Sequence, residues 1–225
     1  MIRLAKAMAR KDLTLVLARG NGLAQALLLG LLLIFVFSLS REAGQPVTPQ
    51  EAATVFWLSS AFCQVLVFNR LFALEETGEA RLGLLLLPAP IQAVWLGKAI
   101  AGFCLLLLAQ VCFLPAAVAL LGQDLSGPLT EGALALLLVD LGLCAVGALL
   151  GALATGQGAR ESLLSVLFFP LQVPLLLAGI KLGAQTFGLS LPDGPGSWLR
   201  MALAFDGVFL GAGLLLFGFL YSGDA

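Results

Sequence analysis

The sequence predicts an all-α integral membrane protein with six transmembrane helices, an N-terminal amphipathic interfacial helix and a cytoplasmic helix between spans 2 and 3. Hydrophobic residues make up 60% of the chain and charged residues only 11%, whereas soluble domains carry about 25% charged residues. Apolar runs of about 20 residues without period-2 alternation favour helices over the strands of a membrane barrel. Helices also satisfy their backbone hydrogen bonds internally, which lipid requires.

Short polar segments separate the six apolar runs. The second run ends at Asn69 and Arg70, before a polar segment at residues 70–91, and residues 183–198 form a connection with room for a short interfacial helix. We find no internal repeat, so residues 1–225 are predicted to form one transmembrane domain. The six predicted spans cover about residues 22–39, 52–68, 94–121, 132–154, 163–182 and 198–221.

The first 21 residues combine basic side chains with apolar side chains at helical spacing. Such a segment is suited to lie in the headgroup layer, with its charges among anionic lipids. A cleaved signal peptide is disfavoured, because the charged region is long and no small-residue cleavage site follows it. We therefore expect a retained surface helix. Its basic residues are Arg3, Lys6, Arg10, Lys11 and Arg19.

The distribution of basic residues predicts the orientation. Of the 12 Lys and Arg residues, only Arg41, Lys181 and Arg200 fall on the side opposite the N-terminus. Lys and Arg accumulate in cytoplasmic connections, and an even number of spans returns the chain to its starting side. Both termini and residues 70–91 are therefore predicted to be cytoplasmic.

The absence of certain residue types and motifs from the sequence excludes several kinds of binding site. The chain contains no histidine, the commonest ligand of transition metals, and no GxxxxGK[ST] phosphate loop. The net charge of −1 gives no indication of nucleic-acid binding. The four cysteines lie in apolar runs without a CxxC pair, which favours a structural role. They are Cys63, Cys104, Cys112 and Cys144.

The segment at residues 70–91 holds the one cluster of acidic residues. Glu79 lies three and four positions after Glu76 and Glu75, so a helix would bring all three to one face. The apolar run that follows Arg81 is closed by Pro88, which favours a rigid helix parallel to the bilayer. Such a helix could dock into a basic cleft of a soluble partner, and a solvated loop is the simpler alternative.

The fifth predicted span contains Pro170 and Pro174, four residues apart. Each proline removes a helical hydrogen bond and clashes with the preceding turn, so we expect a kink or a break in mid-membrane. Neighbouring helices or Gln172 would then satisfy the freed carbonyl groups. A plain structural kink and a hinge both fit this pattern.

Two acidic residues, Asp140 and Asp206, lie inside predicted spans. A charge in the membrane costs on the order of 3 kcal/mol or more, so we expect a shared proton or a partner, with Arg200 as one candidate for Asp206. A structural hydrogen bond and a position on a translocation path both fit. Neither residue has the GxGD or YD context of intramembrane aspartate proteases, which disfavours that class. The glycines of spans 4 and 6 would allow close helix approach in a packed bundle or a dimer. They are Gly142, Gly147, Gly151, Gly207, Gly211 and Gly213.

Several short stretches carry a family resemblance that covers nearly the whole chain. They are RLF at 70–72, LLLLP at 84–88, Gly97 with Lys98, PLQVPLLLA at 170–178 and AFD at 204–206. With the order of the elements, they resemble the permease subunits of type-2 ABC exporters and, more narrowly, the CcmB family (cytochrome c maturation protein B, haem exporter protein B). The family tends to carry an acid shortly after the glycine of the cytoplasmic segment, near the place where Arg81 stands here.

The resemblance implies a permease subunit without its own ATP site, in the inner membrane of a bacterium. ATP and Mg²⁺ would bind a CcmA-like cytoplasmic subunit, with two copies of each chain. CcmC-like and CcmD-like membrane proteins and a CcmE-like periplasmic haem chaperone would complete the complex. This chain would bind no cofactor directly, and the complex would handle haem. Coupling to the ATPase would use Glu75, Glu76, Glu79, Arg81 and Leu84.

Two other classes remain open. A proton-coupled secondary transporter would use Asp140 and Asp206 and need no ATPase. A non-transporting membrane scaffold would need these residues for assembly alone. Within the ABC class, haem export and ATP-driven release of the loaded chaperone are both open, and the lack of histidine favours release.

Overall fold

The computed structural model describes residues 1–41, 45–76, 90–154, 160–192 and 194–222. Within these ranges the chain forms seven helices and no strand, which confirms the all-α class. The helices are α1 (Ile2–Arg19), α2 (Asn21–Leu39), α3 (Pro49–Glu76), α4 (Gln92–Leu121), α5 (Leu129–Ala154), α6 (Arg160–Thr186) and α7 (Gly196–Ser222).

Five of these helices are long and apolar enough to cross a membrane. α6, which contains the predicted fifth span, is not among the five, so a count of six spans stays a prediction. The five segments, found among the described residues, are Gly22–Leu39, Pro49–Leu74, Gln92–Leu121, Leu129–Ala152 and Gly196–Phe219.

The helix α1 is a separate element that docks on the bundle. It ends at Gly20, whose φ of 65° lies in the left-handed region that favours glycine, and whose N–H bonds to the Val16 carbonyl at 3.0 Å. α1 packs mainly against α4 and buries one face at helical spacing. That face consists of Ala5, Ala9, Asp12 and Val16.

The bounds of α3 differ from the predicted second span at both ends. It begins at Pro49, because Thr48 and Glu51 form a capping box: the Thr48 N–H donates to Glu51 Oε2 at 2.8 Å, and the Glu51 N–H donates to Thr48 Oγ1 at 3.3 Å. The predicted end at Asn69 and Arg70 is wrong. No proline or glycine follows these two residues before Thr77, and the helix continues to Glu76.

The helix termini gather at two ends of the bundle. At one end, which we call the α1 end, α1 packs on the first turns of α4, Gly22 lies against the Arg70 side chain, and Lys98 reaches the Leu71 carbonyl. At the opposite end, Ser38 Oγ donates to the Leu120 carbonyl at 2.8 Å. Consecutive helices from α2 onward therefore alternate in direction.

The helix α6 runs along this bundle from the α1 end to the opposite end. Gln185 Nε2 near its C-terminus donates to Glu131 Oε2 at the start of α5, at 3.0 Å. Leu175 lies against Gly142, midway along α5. α6 is therefore antiparallel to α5 over much of its length. No helix lies between α6 and α7 among the described residues, so an interfacial helix there is not found.

α6 is continuous across its two prolines. Pro170 and Pro174 both lie inside the helix. Of the predicted kink or break, the break is therefore wrong, while a kink and a hinge at these positions stay predictions. Gln172 is fully buried, and neither of its side-chain polar atoms has a hydrogen-bonding partner among the described residues. The expectation that Gln172 satisfies the carbonyl groups freed by the prolines is therefore wrong.

Aromatic rings packed against glycines hold the core together. The Phe68 side chain is 1% exposed, and a Cβ at either Gly102 of α4 or Gly147 of α5 would collide with its ring. Trp95 meets Gly213 of α7 in the same way. Because glycine has no side chain, the helix backbones can approach each other at these positions, and the aromatic rings fill the remaining space.

Four of the six predicted close-approach glycines have this role, and two do not. Gly142, Gly147, Gly151 and Gly213 each lie against a side chain of another helix, whereas Gly207 and Gly211 have nothing within 4 Å. Gly207 and Gly211 therefore do not serve packing within this one chain, and close approach at these two positions in a dimer stays a prediction.

Candidate functional site

A buried ion pair lies at the α1 end. Lys98 Nζ is 3.6 Å from Asp12 Oδ2, and both side chains are 1% exposed. Lys98 also donates a hydrogen bond to the Leu71 carbonyl at 2.8 Å and lies 4.6 Å from the centre of the Phe72 ring. One lysine of α4 therefore contacts α1 and the last turns of α3. We call Asp12, Lys98 and the Leu71 carbonyl the junction.

The close approach of α1 to α4 puts Asp12 within reach of Lys98. A Cβ at Gly97 would lie 2.7 Å from Met8 Cβ and 3.0 Å from the Ala5 carbonyl oxygen. Because residue 97 has no side chain, the backbone of α1 can rest on α4. The predicted topology places Lys98 among the cations of a cytoplasmic connection, but the structure buries it completely.

A second polar group, which we call the polar cluster, lies between α3, α4 and α5. Gln110 Nε2 donates to Asp140 Oδ1 at 2.8 Å and also lies 3.2 Å from Ser60 Oγ. Ser60 Oγ donates to the Phe56 carbonyl at 3.0 Å. All three cluster side chains are buried. Asp140 therefore has a hydrogen-bonding partner in the bundle, as expected for a carboxyl group inside a span.

Asp206 of α7 lies apart from this cluster. Its side chain fills the space above Gly142 of α5, and neither carboxyl oxygen has a hydrogen-bonding partner among the described residues. Arg200 is exposed and forms no ion pair in the described part of the chain. The predicted pairing of Asp206 with Arg200 is wrong, since six helical positions turn the two residues about 120° apart around the helix axis.

Two of the predicted coupling residues belong to α3, which ends at the α1 end. Glu75 and Glu76 are in the last turn of α3, and their side chains lie outside the described part of the chain, as do Glu79, Arg81 and Leu84 entirely. The predicted rigid helix near Glu75 to Leu87 also lies outside it from residue 77 onward. The predicted membrane-surface residues are exposed on α1, which fits a surface role. They are Arg3, Lys6, Arg10 and Lys11.

An apolar cavity of about 330 Å³ lies between α3, α4, α5 and α6, towards the opposite end. None of its lining side chains is acidic or basic, so it suits an apolar guest and offers no group for proton transfer. Among the described residues, no three Cys, Asp or Glu side chains come together as metal ligands. Lining residues include Phe56, Trp57, Leu114, Leu136 and Thr186.

A sequence model of a known family, described as "CcmB protein", matches residues 3–215, from α1 into α7. The chain belongs to the CcmB family. The "Heme exporter protein B" of Rhodobacter capsulatus is 28% identical to this CcmB-family chain over 191 residues, which cover 83% of this chain and 87% of that protein. The resemblance seen in the short sequence stretches is confirmed.

Two buried polar residues of this CcmB-family chain were missed from the sequence. Asp12 continues the stripe formed by Ala5, Ala9 and Val16, so an acid at a core position of α1 was a visible signal. Gln110 is the one amide residue of the predicted third span, where an amide side chain needs a partner. Neither feature of the sequence indicated which residue would pair with Asp12 or with Gln110.

Proposed function

We propose that this chain is the transmembrane permease subunit of an ABC-type complex that handles haem for the maturation of c-type cytochromes. The match to the CcmB family over residues 3–215 supports this most strongly. The name of the relative from Rhodobacter capsulatus, "Heme exporter protein B", supports haem as the cargo. Haem export and ATP-driven release of a haem-loaded periplasmic chaperone are two forms of the same proposal.

ATP hydrolysis belongs in this proposal to a CcmA-like cytoplasmic subunit that binds ATP and Mg²⁺. The sequence offers no phosphate loop of its own. CcmC-like and CcmD-like membrane proteins and a CcmE-like chaperone complete the complex, with two copies of this chain. The chain binds no cofactor directly.

The proposed location is the bacterial inner membrane, with six spans and both termini in the cytoplasm. The antiparallel run of α6 along α5 supports α6 as the sixth spanning helix. Nine of the 12 Lys and Arg residues belong to the segments at the α1 end or to the connections joined to it. By the positive-inside rule, this end faces the cytoplasm.

The ATP-binding subunit docks, in this proposal, on the cytoplasmic coupling segment at residues 70–91. α3 extends past its apolar span to Glu76, which supports a start of this segment beyond the bilayer. Replacing Glu75, Glu76 and Glu79 together with lysine is expected to reduce the co-purified ATPase at least about ten-fold, because like charges opposed across an interface cost several kcal/mol. The measurement is the ratio of the two chains after detergent extraction.

Asp124→Lys is the control for this charge reversal, because Asp124 is exposed at the opposite end. It should leave the ratio unchanged. A triple variant that retains the full amount of ATPase would rule out docking through these glutamates.

The prolines of α6 act as a hinge in this proposal. Pro170→Ala combined with Pro174→Ala should leave the complex assembled and slow the production of c-type cytochromes, because a straightened helix resists the change of shape. Pro115→Ala in α4 is the matched control, since Pro115 also lies inside a helix. Normal cytochrome production in the double variant would remove the hinge.

A proton-coupled secondary transporter remains the second candidate. The buried carboxyl groups of Asp140 and Asp206 favour it, because Asp206 has no hydrogen-bonding partner among the described residues. Proton-driven transport by vesicles that contain this chain alone would support the second candidate and contradict the first.

A further inference from the structure

The junction joins α1 to two helices that follow one another along the chain, α3 and α4. Lys98 follows residues 77–89 along the sequence and Leu71 precedes them, so their 2.8 Å hydrogen bond ties together the two helices that flank this segment. The ion pair with Asp12 adds α1 to the same point. Asp12 also lies 3.1 Å from Lys11 Nζ, on the exposed side of α1.

A contribution to stability does not by itself explain why the buried ion pair of Asp12 and Lys98 is present. Removing two charges from water is costly, and replacing a buried ion pair with apolar side chains of similar volume is often neutral or stabilising. An ion pair and a hydrogen bond are directional, however, and they specify one register between the elements that they join. An apolar contact between α1 and α4 would allow small sliding movements.

We propose that Asp12 and Lys98 are positioning residues that hold α1, the end of α3 and the start of α4 as one rigid unit. Movement of either flanking helix then moves α1 and the other helix with it. This inference rests on the proposed function, because the ATP-binding subunit supplies the movement. It adds α1, a helix outside the spanning bundle, to the moving part of the protein.

Variants that neutralise Asp12 and Lys98 one at a time and then together test their positioning role in the whole complex. Asp12→Asn leaves the buried Lys98 without its carboxylate, and less complex should assemble, whereas Lys98→Met leaves Asp12 beside Lys11 and should reduce assembly less. The double variant contains no unpaired charge, so assembly should recover. Its c-type cytochrome yield per assembled complex should stay at least about five-fold below the wild type, the lower end of usual coupling between sites. Its ATPase rate should stay close to the wild-type rate.

The control neutralises an ion pair at the opposite end. Arg41 and Glu51 are 2.9 Å apart, and Arg41→Met with Glu51→Gln should keep both the yield and the ATPase rate. A double variant of Asp12 and Lys98 with a wild-type yield per complex would overturn the inference. If the wild-type chain binds no ATPase at all, the proposed function itself fails, which is a different outcome.

A distance measurement covers the case in which the double variant does not assemble. It uses a protein in which the exposed Cys104 and Cys112 are replaced with alanine, so that spin labels attach only at the chosen positions. Spin labels at Ala7→Cys on α1 and Asn69→Cys on α3 occupy side chains exposed at the α1 end. Trapping the ATPase with nucleotide should change their separation by less than the roughly 2 Å of a usual helix shift. The distance from Ala7→Cys to Asp124→Cys at the opposite end should change by more. A change in the first distance, or none in the second, would overturn the inference.

Discussion

Replacing Phe68 with alanine is expected to lower the free energy of unfolding by about 3–5 kcal/mol, the usual cost of removing a buried aromatic ring. The Phe68 ring occupies the space that the missing side chains of Gly102 and Gly147 leave open. Its loss would leave a cavity shared by α3, α4 and α5, because these packed helices cannot close over it fully. Unfolding in mixed detergent micelles measures the effect.

Phe219→Ala is the matched control, because the Phe219 side chain is 80% exposed on α7. We expect a change within about 0.5 kcal/mol. A second test adds a side chain at the glycine. Gly102→Ala as a single change should destabilise the protein, and the same change should cost less free energy of unfolding in combination with Phe68→Leu, since leucine leaves room for the added methyl group. Equal losses from Phe68→Ala and Phe219→Ala would contradict this account of the core.

Removing one partner from the polar cluster should have the second large effect. Gln110→Leu takes away the donor that bonds to Asp140 Oδ1 at 2.8 Å, and a buried polar group left without its partner costs about 1–3 kcal/mol. The double variant Gln110→Leu with Asp140→Leu leaves neither group unsatisfied. Its loss of stability should therefore be smaller than the sum of the two single losses.

Gln172→Leu provides a control with the same chemistry. Gln172 is equally buried, but it has no hydrogen-bonding partner among the described residues, so its replacement should be neutral or stabilising. Strictly additive losses in the cycle of Gln110 and Asp140 would show that their hydrogen bond does not couple α4 and α5. A large loss from Gln172→Leu would show that this side chain has a partner.

The helices could be predicted because their signals are local. Apolar runs of bilayer length predicted α2, α4, α5 and α7 within a few residues of their observed bounds. The wrong predictions concern where a helix ends and whether a helix is interrupted. α3 extends beyond Arg70 because its polar side chains do not stop a helix, and α6 continues through Pro170 and Pro174 although each proline removes a hydrogen bond.

The sequence by itself determined the membrane class, the helical fold and, through short motifs, the CcmB family, because composition, run length and motif spacing can be read within one segment. Only the tertiary structure decided which polar residues meet. Asp12 and Lys98 form a pair, Asp206 lies apart from Arg200, and Gly207 faces open space. These outcomes depend on which helix faces pack together, and that choice is made by contacts between residues far apart in the chain.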